Sequence, residues 1–300
     1  ASEPDAAEDT AILQEAPTQE GDSQQQPVIQ ATTPEATAQA LPQVTTNVRV
    51  NRIGTQTEEA LVEEPEVAEA ATLPDDAPAL LRFAAPFDNA AGLPVVSIIL
   101  VDSGEMPNPA DALSDLGFVP TIAVDALSSS AAEDFATYRA AGIEVAMQAG
   151  LPTGAQPADV EVAFQAVFGL APEAAMLFSD GTGAMQDRAV TAQVMQILAA
   201  SGHGFVTVQR GLSNPVRAAE QAGVAGVTIL REIDGAGEDR RAIGRALDQA
   251  AFRARQSDAV VLLGHVTLDT IVALREWAAN VDRETLAIAP VSAVLLNQEQ

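Results

Sequence analysis

The sequence predicts an α/β domain built on a parallel sheet, and three observations carry that prediction. From residue 95 onward, apolar runs of strand length recur without the alternation of a half-exposed sheet, as buried parallel strands do. Between them lie segments of helical spacing with their own start and stop signals. The two types alternate regularly, about eight strands with about seven helices, which implies a parallel sheet, either open or closed into a barrel.

The elements follow in chain order. Residues 95–101 read as the first strand. Asn108-Pro109 then supplies an N-cap and a proline at the first helical position, and Gly117 the stop. Residues 118–124 are the next strand, 130–141 a helix ending at Gly142, and 143–147 a third strand. A helix at 159–168 and a short strand at 174–178 lead into the Ser179-Asp180-Gly181-Thr182-Gly183 loop. Helix 188–200, strand 204–208, helix 215–222 and strand 227–230 come next. The longest helix, 238–256, turns Ile243, Leu247, Ala250, Ala251 and Ala254 inward and keeps most of its arginines off that face. Strand 259–263 follows. Thr267 caps a helix carrying Ile271, Leu274 and Ala278, and 286–288 closes the series.

Residues 1–79 differ in kind. They are rich in Ala, Pro, Gln, Thr, Glu and Asp, with no aromatic residue, and read as a disordered acidic linker before a domain at 80–296. An apolar patch at 44–53 is a piece of linker or a docking motif. The net charge of −27 comes from 42 acids against 15 basic residues, all arginine. That balance argues against nucleic acid and against anionic lipid as partners. There is no cysteine, hence no disulfide framework and no thiol nucleophile. No stretch reaches the ~20 apolar residues of a membrane-spanning segment. The opening Ala1-Ser2-Glu3-Pro4 is consistent with a trimmed product whose export signal or anchor has been removed.

In α/β folds ligands gather outside the carboxyl ends of the strands. Three such ends carry polar residues: the run into Asp102-Ser103-Gly104, the strand ending in Gln148, and the strand ending in Gly264-His265. With Ala84-Ala85-Pro86-Phe87-Asp88-Asn89 before the first, and Ala289-Pro290-Val291-Ser292 after the last, this order resembles the divergent polysaccharide deacetylase family over about 80–295. The resemblance implies a (β/α) barrel of the polysaccharide-deacetylase type. It also implies a hydrolase in which a metal held by an acid and histidines activates water to remove an acetyl group from a sugar. By the same resemblance, Asp102 stands for the general base and His265 for the last histidine. The second, metal-binding acid falls on Ser103 and the first histidine on Gln148. The family's Asn-His-Met-Gly-Ser stretch falls on 183–187, which puts Ala184 in place of a histidine. Its acid before Ser-Arg falls near Val208, ahead of Gln209-Arg210.

One histidine and one carboxylate do not make a tight zinc site, which needs three protein ligands. No cofactor is therefore expected, with zinc returning only if a rearranged site at Asp102 and His265 still works. The implied function is a degenerate deacetylase-like domain, a pseudoenzyme of the bacterial periplasm or cell envelope that binds a glycan or an envelope protein. The alternatives are an active carbohydrate deacetylase and a scaffold recruited through the acidic arm.

Each candidate also has a plainer reading. Asp102 is a strand-end acid bonding backbone amides, and His265 a core-edge histidine. Asp180-Gly181-Thr182-Gly183 lacks the lysine of a phosphate loop and reads as a turn. Arg188, Arg210 and Arg231 form an anion-reading rim or pair with the abundant acids. Glu232 and Asp234 hold a cation loosely or lie on a solvated face. Ser103 has no base at fixed spacing and no Gly-x-Ser-x-Gly around it, which makes a serine-hydrolase reading weak. His203 is expected on a loop surface at the opposite end of the strands from the site.

Overall fold

The computed structural model describes residues 73–211 and 214–298 of the chain; the expectations for the acidic linker and its apolar patch fall largely outside them. Within these residues a short helix α1 (Ala79–Phe83) leads into alternating elements. These are β1 (Val95–Asp102), α2 (Pro109–Ser114), β2 (Thr121–Asp125), α3 (Ala131–Ala140), β3 (Glu144–Gln148), α4 (Pro157–Leu170), β4 (Met176–Ser179), α5 (Arg188–Ser201), β5 (Gly204–Val208) and α6 (Pro215–Gln221). After them come β6 (Gly226–Ile229), β7 (Arg231–Glu232), α7 (Arg240–Ser257), β8 (Ala259–His265), α8 (Leu268–Asn280), β9 (Ala287–Ala289) and α9 (Val291–Asn297).

The pairing is parallel throughout, in the order β6-β5-β4-β3-β2-β1-β8-β7. β6 and β7 are two halves of one stave. The first half bonds β5, and the second bonds β8 with Arg231 opposite Leu262. Leu230 between them donates its N–H to Val261 (2.8 Å). The sheet thus closes on itself as a (β/α) barrel, which settles what periodicity left open. β9 wedges beside the first residues of β1.

Strand alternation divides the core in two. Val96, Ile98 and Leu100 of β1 pack outward with the helices, while Val95 and Ile99 face the barrel interior with Ala146, Phe178, Val206 and Val261. The interior is plugged at the strand N-termini by Leu80 of α1 and Val291, Val294 and Leu295 of α9. Both plugging helices escape a reading by periodicity because they are short and lie at the domain's two ends.

Glu144 lies in the same plug and is fully buried. Its Oε1 accepts from the Thr121 hydroxyl (2.7 Å) and the Ser292 N–H (3.1 Å), and its Oε2 from the Ala85 N–H (3.0 Å). A buried carboxylate is tolerable because every partner is a donor. This one acid ties together β2, β3, the chain before β1 and α9.

The long helix α7 turns inward the face its spacing predicts, and Thr267 caps α8 through Thr270 N–H (3.3 Å). Two local expectations fail. Pro109 does start α2, but Asn108 adopts a left-handed backbone (φ 51°) and makes no side-chain cap, and the helix ends at Ser114, before Gly117. His203 is not loop surface: it is 9% exposed and stacks on Phe168 of α4 at 4.9 Å. It is nevertheless at the end of the barrel opposite the candidate site, as expected.

Candidate functional site

At the strand C-termini, three adjacent staves set one cluster. Continuing the β7–β8 register by two residues places Asp234 beside His265. The Asp234 side chain is 7% exposed and both of its oxygens are engaged. Its Oδ1 contacts His265 Nδ1 (2.9 Å), and its Oδ2 accepts from the His265 N–H (2.8 Å) and the Thr270 hydroxyl (2.6 Å). Burial would raise the Asp234 carboxyl, but these hydrogen bonds outweigh it and hold the group below its ordinary value. The hydrogen bond to Asp234 holds His265 above the usual imidazole value. Partial burial opposes this, while the charges of Asp234, Glu232 and Glu105 reinforce it.

With Nδ1 given to Asp234, the other ring nitrogen of His265 is left for the cleft. That cleft, about 300 Å³, is lined by Ser103, Glu105, Asp234, Glu238, His265, Thr267, Asp269 and Thr270. Asp234 is therefore not on a solvated face, and it is the site residue that reading along the chain missed as a partner of His265. Its only sequence signal is an acid just past a strand end. What joins it to His265, 31 residues away, is the closure of the barrel.

Asp102 is placed differently. It shares the outward parity of Ile98 and Leu100, and its Oδ2 accepts from the Tyr138 hydroxyl of α3 (2.5 Å). Its Oδ1 accepts from the Gly104 N–H (2.8 Å). Burial and the Asp102 hydrogen bond push the Tyr138 phenol far above its ordinary value, so it stays a donor. No hydrogen bond joins Asp102 to His265 among the described residues, and Asp102 does not line the His265 cleft.

Gln148, at the end of β3, lines a separate pocket of about 80 Å³ with Ser179, Asp180 and Thr182. Asp180 holds the Thr182 hydroxyl (2.8 Å) and N–H (2.9 Å), and its carbonyl accepts from Arg210 Nε (2.7 Å). Gly181 has φ +74°, and a Cβ there would lie 2.5 Å from the Val208 carbonyl. The glycines of this loop serve a tight turn. Arg188 is exposed at the start of α5, and Arg231 bonds Gln249 of α7 (3.1 Å). The three arginines of the expected rim thus go to separate places, and none lines the His265 cleft.

The sequence profile of the family described as divergent polysaccharide deacetylase matches residues 98–295. The chain belongs to that family. No curated protein matches it in sequence. Its fold is similar to that of an uncharacterized protein from Agrobacterium tumefaciens C58, at 17% identity and a TM-score of 0.63, covering 74% of this chain and 97% of the other. A family 4 carbohydrate esterase from Streptomyces lividans in complex with acetate aligns at 15% identity and a TM-score of 0.43, over 65% of this chain and 91% of that one. The catalytic domain of a peptidoglycan N-acetylglucosamine deacetylase from Eubacterium rectale aligns at 10% identity and 0.43, over 66% and 88%.

This deacetylase fold implies a metal, and the donor set at the implied positions does not fit one. Ala184 is 3% exposed and offers no ligand atom, and Ser103 and Gln148 line different clefts. Glu232, Asp234 and His265 do bring ligand atoms within 4.8 Å of one another. Asp234, however, is held by three hydrogen bonds from His265 and Thr270 and Glu232 is exposed, so the group is organised as an acid–histidine pair.

Proposed function

We propose that this divergent polysaccharide deacetylase domain has given up metal-dependent turnover and uses the His265 cleft to hold an acetylated glycan of the bacterial periplasm or envelope. The observation that carries the reading is Ala184, a buried methyl where the resemblance calls for a metal-binding histidine. The polar walls of the cleft support a sugar as occupant. The exposed Ser103 supplies a hydroxyl, Asp269 and Glu105 accept, and His265 offers a ring nitrogen. No aromatic residue lines it, so a sugar would be held without stacking, and the expected affinity is weak, on the order of millimolar.

The test is elemental analysis of the full chain after dialysis with and without zinc, beside a titration with N-acetylglucosamine oligomers followed by NMR. The expected result is no stoichiometric metal and shifted amide signals at His265, Thr267 and Thr270. Stoichiometric zinc that disappears in Asp102→Ala overturns the loss of the metal. Unshifted signals overturn the glycan and leave an envelope protein as the partner to seek.

A further inference from the structure

We infer that Ser103, His265 and Asp234 form a nucleophile–base–acid triad, and that the cleft hydrolyses acetyl esters without a metal. The inference uses the same cleft as the proposed function but adds an activity to it.

The three residues stand on three neighbouring staves. Val101 of β1 pairs with His265 of β8, and Ser103 lies two residues past Val101, just beyond the end of β1. On the other flank, β7 brings Asp234 to His265 Nδ1 at 2.9 Å. Ser103 and His265 line one cleft, and Ser103 is exposed with a hydroxyl that makes no hydrogen bond among the described residues. Along the chain Ser103 has no base, because its base arrives 162 positions later from the adjoining strand; the fold supplies what sequence spacing withholds.

The chemistry balances with these groups and water. Asp234 takes the Nδ1 proton as a hydrogen bond and fixes the tautomer with a lone pair on Nε2. Nε2 accepts the Ser103 proton as Oγ attacks the acetyl carbonyl carbon. The bond from that carbon to the alcohol oxygen breaks, and His265 returns the proton to the departing alcohol. Water, deprotonated by Nε2, then attacks the acetyl-Ser103 ester, acetate leaves and the serine hydroxyl is restored. The substrate class is an O-acetylated alcohol, an ester rather than an amide, and a neutral or cationic one. Glu105, Glu232, Asp234, Glu238 and Asp269 all face or line the cleft and would repel an anion.

The probes are a fluorophosphonate and 4-nitrophenyl acetate, used on the full chain in excess EDTA. The expected result is a covalent adduct mapped by mass spectrometry to Ser103, and ester cleavage that EDTA leaves unchanged. Both fall to background in Ser103→Ala, an exposed substitution that leaves the fold intact. His265→Gln lowers kcat/KM at least about 100-fold. Asp234 acts through His265 as a positioning residue. Asp234→Asn therefore moves the pH limb of kcat/KM to lower pH as well as lowering its height, because the hydrogen bond to the Asp234 carboxylate does most to hold the imidazole above its ordinary value. No adduct at Ser103, cleavage that persists in Ser103→Ala, or cleavage that requires added zinc each overturns the triad. Glycan binding by Ser103→Ala separates the two readings. Binding without acylation in the parent chain defeats the triad alone, and acylation without glycan binding defeats the glycan alone.

Discussion

The two histidines of this chain lie at opposite ends of one barrel, and their surroundings push them in opposite directions. His203, where β5 begins, is stacked on Phe168 and bonded through Nδ1 only to the neutral Ser201 hydroxyl (2.8 Å). Burial there pushes its imidazole down to about 4. His265, where β8 ends, is more exposed and faces Asp234, Glu232 and Glu105, which hold it above the ordinary value. The acids show the same polarity. Glu144 at the plugged end is wholly enclosed by donors that belong to the fold, whereas Asp234 spends its hydrogen bonds on orienting a ring at the rim of a cleft. One end of the barrel uses polar groups to fix the structure, and the other uses them to present a reactive atom. An acid or a histidine thus takes its meaning from the end of the strand it occupies.

The comparison breaks most readily at Glu144. Glu144→Ala leaves the Thr121 hydroxyl and the Ala85 and Ser292 N–H groups buried without an acceptor, and should cost about 4 kcal/mol in chemical denaturation. A loss under about 1 kcal/mol would mean the plug does not depend on this acid.

The next effect is acid sensitivity at the same end. Folded His203 resists protonation until about pH 4, whereas in the unfolded chain it titrates near 6.5. As pH falls below 6.5 the unfolded state takes up a proton that the folded state refuses, so stability is lost progressively, by about 3 kcal/mol at pH 4. His203→Phe, which preserves the stack, should flatten this limb in denaturation curves taken from pH 7 to 4. An unchanged slope would show that other groups cause it.

His265 has the opposite sign. Its raised value adds stability below pH 6.5 that is lost as pH rises through the folded value, while the lowered carboxyl of Asp234 adds stability above its ordinary 3.8 that is lost only in stronger acid. Because His265 is partly exposed, solvent screens the pair, and Asp234→Asn should cost only about 1–2 kcal/mol. The sharper readout is NMR titration of the two imidazoles. His265 should move down in this variant while His203 stays in place, and a His265 titration unchanged by the substitution would dissolve the pair. The smallest effect is expected for Tyr138→Phe, about 1 kcal/mol, since it removes one hydrogen bond to Asp102.

The sequence by itself determined the α/β class, most element positions, the capping of α8 and the inward face of α7, because each rests on interactions within a few residues or on the period of a single element. It also located both strand ends, at Asp102 and at His265, and the family that carries them. Only the tertiary structure decided the rest. Barrel closure through β7 brings Asp234 to His265, a contact no local pattern encodes. Strand parity turns Asp102 outward to Tyr138 and away from His265. Packing across the strand N-termini makes His203 a buried neutral base and Glu144 a tie between four segments. These pairings span tens to more than a hundred residues, and which partner a side chain meets across such a distance is fixed by sheet register and burial, which exist only once the barrel has formed.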